Sequence, residues 1–212
     1  MLFFLKHTYS LCCVCYNESP FLSNIHRNFF RMKSYIITGA PGTGKTSIIE
    51  ELSSRGYLGL DEIPRKLLKS KLAEKLGISP FKDLERFAQI VFDEMYTQLI
   101  EAQKEGKICF FDRALPDVFA YLNNSSLPIP KGYYKKLGRC HYEENVFICP
   151  PWQEIYFSDS IRPYPFEETL KLHEQIVSTY EKLSFNLIEV PKVSVKERTN
   201  FVINNTLLNT KY

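Results

Sequence analysis

The chain is short of the features that would take it out of the ordinary globular class. Its 212 residues carry 27 basic and 24 acidic side chains, for a net charge of +3. The basic residues are scattered, so nothing points to a nucleic-acid surface. The apolar stretch near the N-terminus is broken by Lys6, His7 and Tyr9, too short and too interrupted to span a bilayer. There are no internal repeats and no low-complexity segment. Zinc-site spacing is missing too: Cys12, Cys13 and Cys15 read Cys-Cys-x-Cys, which is not a metal framework even with His7 and His26 in the same segment. Cys109, Cys140 and Cys149 mostly sit in apolar runs and read as reduced core residues of a cytoplasmic protein. Glycines number only nine, and three of them fall in one stretch.

That stretch follows the apolar run Tyr35 to Thr38 and reads Gly39-Ala40-Pro41-Gly42-Thr43-Gly44-Lys45-Thr46, with Ser47 next. It is the P-loop pattern G-x-x-x-x-G-K-T. A strand must end abruptly, and Gly39 lets the backbone turn. Gly42 and Gly44 keep side chains away, so successive N–H groups can wrap phosphate oxygens. The following helix directs its positive end at the same phosphates. Lys45 is expected to reach the β- and γ-phosphates, and the Thr46 hydroxyl to ligate Mg²⁺. Flanking sequence agrees with the motif: a β-type run precedes it, and Ile48, Ile49 and Leu52 mark one helical face after it, closed by Arg55 and Gly56. Gly39 through Ser47 are therefore the expected nucleotide-binding residues.

Length suggests one domain with some extra chain. Residues 1–31 read as an N-terminal extension with a single acidic residue, Glu18. It is a poor targeting peptide, a disordered or membrane-touching tail, or sequence upstream of a true start at Met32-Lys33-Ser34; the last is the expectation. Residues 32–212 read as the P-loop domain. Strands are expected at 56–60, 108–111, 145–149 and 186–190 after the first. Helices are expected at 64–76, from Ser79-Pro80 to Gly106, at 116–122, 132–137, 166–183 and 194–208. The long helix carries Leu84, Phe87, Ala88, Val91, Met95, Leu99 and Ala102 at spacings of three and four. The helix at 166–183 is expected to turn Leu170, Ile176, Val177 and Tyr180 inward. Strands alternating with helices predict an α/β, three-layer P-loop NTPase fold, with a parallel sheet of about five strands and helices on both faces.

In such sheets ligands lie at the carboxyl ends of the strands. Strand two ends in Asp61-Glu62, with Arg65 one turn on. Strand three ends in Asp112-Arg113, with Asp117 nearby. Asp112 is the candidate second Mg²⁺ anchor, or else a solvated strand-end carboxylate. Glu62 is the candidate base for an attacking hydroxyl, or else half of a helix-surface ion pair with Arg65. Asp61, Glu62, Arg65 and Arg113 form the expected acceptor side. Arg113, Arg162 and Arg139 are candidates to neutralise charge during transfer, Arg162 first because its loop, rich in Pro and aromatics, has a lid-like composition. Trp152 and Tyr156 in that loop either cover the site or pack in the core. His141 and His173 read as structural.

With these residues in hand, the chain from about Lys33 onward resembles the small P-loop, AAA-type ATPases related to the ribosylnicotinamide kinase domain. It resembles nucleoside and nucleoside-monophosphate kinases more distantly. The matching residues are Gly39 to Thr46, Glu62-Ile63-Pro64-Arg65, Asp112-Arg113 with Asp117, Asp159-x-x-Arg162 and Val190-Pro191. The resemblance implies ATP and Mg²⁺ at Lys45, Thr46 and Asp112, an acceptor pocket near Glu62 and Arg65, and lid contacts from Arg162. The expected function is a small-molecule kinase, with Lys45, Glu62, Asp112 and Arg162 catalytic and a nucleoside-like or other metabolite as acceptor. The alternative is a regulatory NTPase acting on a protein or membrane partner. A guanine-specific switch is disfavoured because N/T-K-x-D is absent. An AAA+ motor is disfavoured because the pair at strand three is Asp-Arg rather than Asp-Glu.

Overall fold

Five short strands, β1 (Ser34–Thr38), β2 (Leu58–Leu60), β3 (Cys109–Asp112), β4 (Asn145–Ile148) and β5 (Asn186–Glu189), pair in parallel in the order β2-β3-β1-β4-β5. The computed structural model describes residues 33–70, 75, 77–157 and 165–208. The N-terminal extension expected at residues 1–31 lies outside them. Seven α-helices connect or follow the strands among the described residues: α1 (Lys45–Ser54), α2 (Ile63–Leu68), α3 (Leu84–Ala102), α4 (Leu115–Asn124), α5 (Lys131–Leu137), α6 (Phe166–Lys182) and α7 (Val195–Leu208).

Strand β1 is central and wholly buried, which is why it is apolar on both sides. Successive side chains point to opposite faces. Tyr35 and Ile37 join Ile48, Ile49 and Leu52 of α1 and Val202 of α7 on one face. Ile36 turns to the other, against Ala120 of α4 and Leu172, Ile176 and Tyr180 of α6. Burying each of these large side chains contributes roughly 1.5–3 kcal/mol. Helix α3 extends that second face: Leu99 and Ala102 cover Cys109 and Phe111, while Phe87, Ala88, Val91 and Met95 pack with α2, α4 and α5. The result is the three-layer α/β P-loop fold. From β1 the chain runs outward to β2 over one face, then returns and crosses to β4 over the other. The carboxyl end of β1 is thus the switch point where ligands bind in such sheets.

Several boundaries differ from those read in the sequence. Strand β2 starts at Leu58, because Gly56 adopts φ 90° in the turn that closes α1. The helix expected over 64–76 is described only as α2, and most of 71–76 lies outside the described residues. Helix α3 begins at Leu84, later than Ser79-Pro80 suggests, because Asp83 caps it by accepting from the Arg86 N–H at 3.0 Å. Leu170 is exposed, whereas Leu172, Ile176 and Tyr180 form the inner face. Two residues are about 200° of helical rotation, so Leu170 and Leu172 cannot share a face.

Candidate active site

The loop between β1 and α1 is shaped by contacts a larger residue would break. Gly39 has φ 137°, and a Cβ there would strike the Cys149 carbonyl at the end of β4. Gly44 caps α1 in the left-handed region, φ 77°, where an added Cβ would lie 2.5 Å from Arg198 Nη1. The ring of Tyr156 rests on Gly42. Inside the loop Lys45 is buried, and its Nζ donates to the Ala40 carbonyl at 2.8 Å and to Thr43 Oγ1 at 3.3 Å. Burial, with Arg113 nearby, brings its ammonium down to about 8. Ser47, one residue into the helix from Thr46, is exposed.

At the end of β3, Asp112 Oδ2 accepts from Thr46 Oγ1 at 2.7 Å. Its Oδ1 is buried without a hydrogen-bond partner among the described residues. Burial, then the nearby Glu62 charge, push this carboxyl up to about 6. A hydroxyl beside a carboxylate with a spare buried oxygen is a donor set that suits a hard divalent cation. Among the described residues no group of three or more His, Cys, Asp and Glu side chains could hold a metal ion. A cation held by Thr46 and Asp112 would need its remaining ligands from elsewhere, as Mg²⁺ commonly takes them from phosphate and water.

The next residue, Arg113, is almost fully buried and has φ 72°, an uncommon conformation for a long side chain. Its Nε donates to Glu62 Oε1 at 2.7 Å. Nη1 donates to the Gly39 carbonyl at 2.9 Å and to Asp117 Oδ1 at 3.1 Å. Its guanidinium carbon lies 5.6 Å from the centre of the Tyr121 ring. Asp117 is saturated: Oδ1 also accepts from Thr38 Oγ1 at 2.6 Å, and Oδ2 from Tyr180 OH at 2.6 Å and the Ala114 N–H at 2.9 Å. One buried network therefore ties the ends of β1 and β3, the entry to α2, α4 and α6. The sequence offered Arg113 as one of three candidates to neutralise charge during transfer; in the structure its Nε is committed to Glu62.

Glu62 is buried at the N-cap of α2. Its Oε2 lies 3.7 Å from Arg65 Nε, so the ion pair with Arg65 forms, with the Glu62 side chain buried rather than on a helix surface. Asp61 is exposed, and its carbonyl accepts from Gln98 Nε2 at 3.1 Å. The structure thus brings Glu62, Arg65 and Arg113 together and leaves the Asp61 side chain at the surface. Arg162 and Asp159 lie outside the described residues. Arg139 is exposed in the connection to the start of β4, at the far end of the sheet from the P-loop.

Two cavities adjoin at the site and share Pro80, Leu84 and Tyr121. One, of about 50 Å³, lies among α2, α3 and α4 and reaches Arg113 and Asp117. The other, of about 380 Å³, reaches Pro41 of the P-loop and the first turns of α6. Sequence reading missed Arg198 of α7. It is buried, donates from Nη2 to the Thr43 carbonyl at 2.8 Å, and lies 6.0 Å from the centre of the Trp152 ring. Trp152 and Tyr156 thus sit beside the loop, as one of the two readings of that segment expected. No local pattern marked Arg198, because its partner is 155 positions away. His173 is half-buried, and its burial depresses the imidazole pKa. No helix among the described residues is long and apolar enough to cross a membrane.

Comparison with known proteins agrees with this geometry. A crystal structure of NadR protein in complex with NR matches at TM-score 0.66 and 15% identity, over 89% of this chain and 53% of that chain. Thymidylate kinase from Candida albicans matches at TM-score 0.61 and 12% identity, over 84% and 92%. Deoxyadenosine kinase from M. mycoides matches at TM-score 0.55 and 17% identity, over 84% and 100%. A curated nucleotide-binding protein of Acinetobacter baumannii is 29% identical over 126 residues, 54% of this chain and 44% of the relative. The chain spans about half of NadR and under half of the curated relatives. The profile of the AAA domain family matches residues 34–198. That span runs from β1 to Arg198 and covers most of the sequence, and the protein belongs to the AAA domain family, with a kinase-like, nucleotide-binding P-loop fold.

Proposed function

We propose that the protein is an ATP-dependent phosphotransferase that moves the γ-phosphoryl group to a hydroxyl of a small metabolite. The observation that carries this reading is the meeting of three parts: a complete P-loop, a buried carboxylate held by Arg113, and a cavity that ends on the same arginine. The deoxyadenosine and thymidylate kinases among the fold neighbours support the reaction class.

In this reading the backbone of Gly39 to Thr46 and the α1 N-terminus hold the phosphates, and Lys45 supplies positive charge. Mg²⁺, when bound, neutralises the β- and γ-phosphates; Thr46 and Asp112 are the residues that would hold it, directly or through water. Glu62 accepts the proton as the acceptor oxygen bonds to phosphorus. The bond to the β–γ bridging oxygen breaks, and ADP leaves. Arg113 orients Glu62 through the 2.7 Å bond from its Nε to Oε1. Arg65 and Arg162 complete the proposed acceptor and lid contacts.

Replacing Glu62 tests the assignment. Glu62→Gln keeps a hydrogen-bonding side chain beside Arg113, so nucleotide binding should stay within about twofold while transfer falls roughly 10²–10⁴-fold. Full transfer by Glu62→Gln removes Glu62 as the base. A protein that binds and slowly hydrolyses ATP but transfers to no acceptor fits the regulatory NTPase instead.

A further inference from the structure

Arg113 is a long side chain on a backbone of φ 72°. A non-glycine residue stays in that region only where its surroundings over-determine it, and such residues cluster where geometry serves a mechanism. The surroundings of Arg113 do so. Its N–H donates to the Ile37 carbonyl at 3.0 Å, one residue past the end of β3. The next N–H, that of Ala114, donates to Asp117 Oδ2 at 2.9 Å. The other oxygen of that carboxylate, Oδ1, accepts from Arg113 Nη1 at 3.1 Å. Asp117 thus holds both the backbone after the strained residue and the tip of its side chain.

The side chain held in this way bridges two parts of the site. Nη1 also donates to the carbonyl of Gly39, the first residue of the P-loop, and Nε donates to Glu62 at the entry to α2. Asp117 is fixed in turn by Thr38 from β1 and Tyr180 from α6, each at 2.6 Å. Arg113 and Asp117 are both 1% exposed. An ion pair so deeply buried is a weak source of stability, because desolvation offsets the attraction. What this one supplies is a single geometry.

We infer that Asp117 is a positioning residue for phosphoryl transfer. Through Arg113 it fixes the Glu62 carboxylate relative to the Gly39 end of the P-loop, and so the base relative to the phosphate. Asp117 is not itself a catalytic group, since its two oxygens already accept four hydrogen bonds. The inference rests on the phosphotransferase reading with Glu62 as base.

A double-mutant cycle in the full-length protein tests it. Asp117→Asn keeps the shape, but the bond from Arg113 or the bond from Ala114 is lost whichever way the amide turns. Transfer is measured with Mg²⁺-ATP and whichever of adenosine, cytidine, thymidine and D-ribose is phosphorylated. Asp117→Asn should lower kcat about 10–100-fold and leave KM for ATP within about twofold. In the Glu62→Gln background the same change should cost less than about twofold, because no base remains to be positioned. An equal loss in both backgrounds is what a merely structural Asp117 gives, and it overturns the inference. So does an unchanged kcat. Should Asp117→Asn fail to fold, Tyr180→Phe takes its place, with an expected loss of about two- to fivefold that again vanishes with Glu62→Gln. A second readout needs no acceptor. The Arg113 Nε–H, bonded to a buried carboxylate, should give a slowly exchanging ¹H–¹⁵N line, identified by its absence from Arg113→Lys. Asp117→Asn should shift or broaden that line, and an unmoved line overturns the inference whatever the kinetics. A line that responds, in a protein that phosphorylates none of the acceptors, keeps the hold of Asp117 on Glu62 and removes the phosphotransferase reading.

Discussion

Asp112 shows how a site residue is held against the interest of the fold. Its carboxyl is raised to about 6 from an ordinary value of 3.8. The folded protein therefore binds more protons than the unfolded chain between about pH 4 and pH 6, and loses stability as pH rises through that window. Asp112→Asn removes the buried charge. At pH 7 the variant should be more stable than the parent by on the order of 1–3 kcal/mol, with the gain fading as pH falls from about 6 to about 4. Denaturant titrations across that range measure it. Tyr180 gives a second prediction at this scale. Tyr180→Phe leaves the ring in place and takes one hydrogen bond from Asp117, so it should cost about 1–2 kcal/mol. The P-loop was legible because the motif is contiguous. The Arg113 network was not: Glu62, Thr38 and Tyr180 join it across 51, 79 and 63 positions. Sequence placed Thr38, Glu62 and Arg113 near strand ends and Tyr180 on the inner side of a helix; only the folded register made them partners.

Among the elements, α7 and α1 carry the P-loop between them. Arg198 of α7 holds the Thr43 carbonyl from behind and lies beside Gly44. Arg198→Met should raise KM for ATP about tenfold and lower stability by roughly 1–3 kcal/mol, because the Thr43 carbonyl loses its charged donor. Arg198→Lys should not restore it, since a point charge does not reproduce the guanidinium fork. Steady-state kinetics with ATP varied, alongside unfolding curves, tests both. Strand β2 leans on α1 just as closely. A Cβ on Gly59 would strike Ser53 Oγ and come within 2.9 Å of the Ile49 carbonyl. Gly59→Ala should therefore destabilise the protein by about 1–3 kcal/mol. The helical periodicity of α3 and the β-type runs were readable, since each records which face is buried. Their ends were less so. Asp83 as a cap and Gly56 as a turn reflect local hydrogen bonding and dihedral choice that competing signals, such as Ser79-Pro80, conceal.

For the whole molecule, the strand order puts the P-loop at the sheet's switch point, and the helices of the second face leave two cavities beside it. Under the phosphotransferase reading, a phosphate donor and a small acceptor would meet there. The sequence conveyed the P-loop and offered Asp61, Glu62, Arg65 and Arg113 for the acceptor side. It did not convey the cavities, because the apolar residues that α2, α3 and α4 contribute to their walls read equally well as core. The most direct test follows the γ-phosphorus itself. ³¹P NMR of the full-length protein with Mg²⁺-ATP and a panel of small hydroxyl-bearing metabolites, nucleosides among them, should show ATP converting to ADP and a new phosphomonoester. Lys45→Ala should abolish that resonance. If ATP is consumed only to inorganic phosphate with every acceptor supplied, the phosphotransferase account is contradicted.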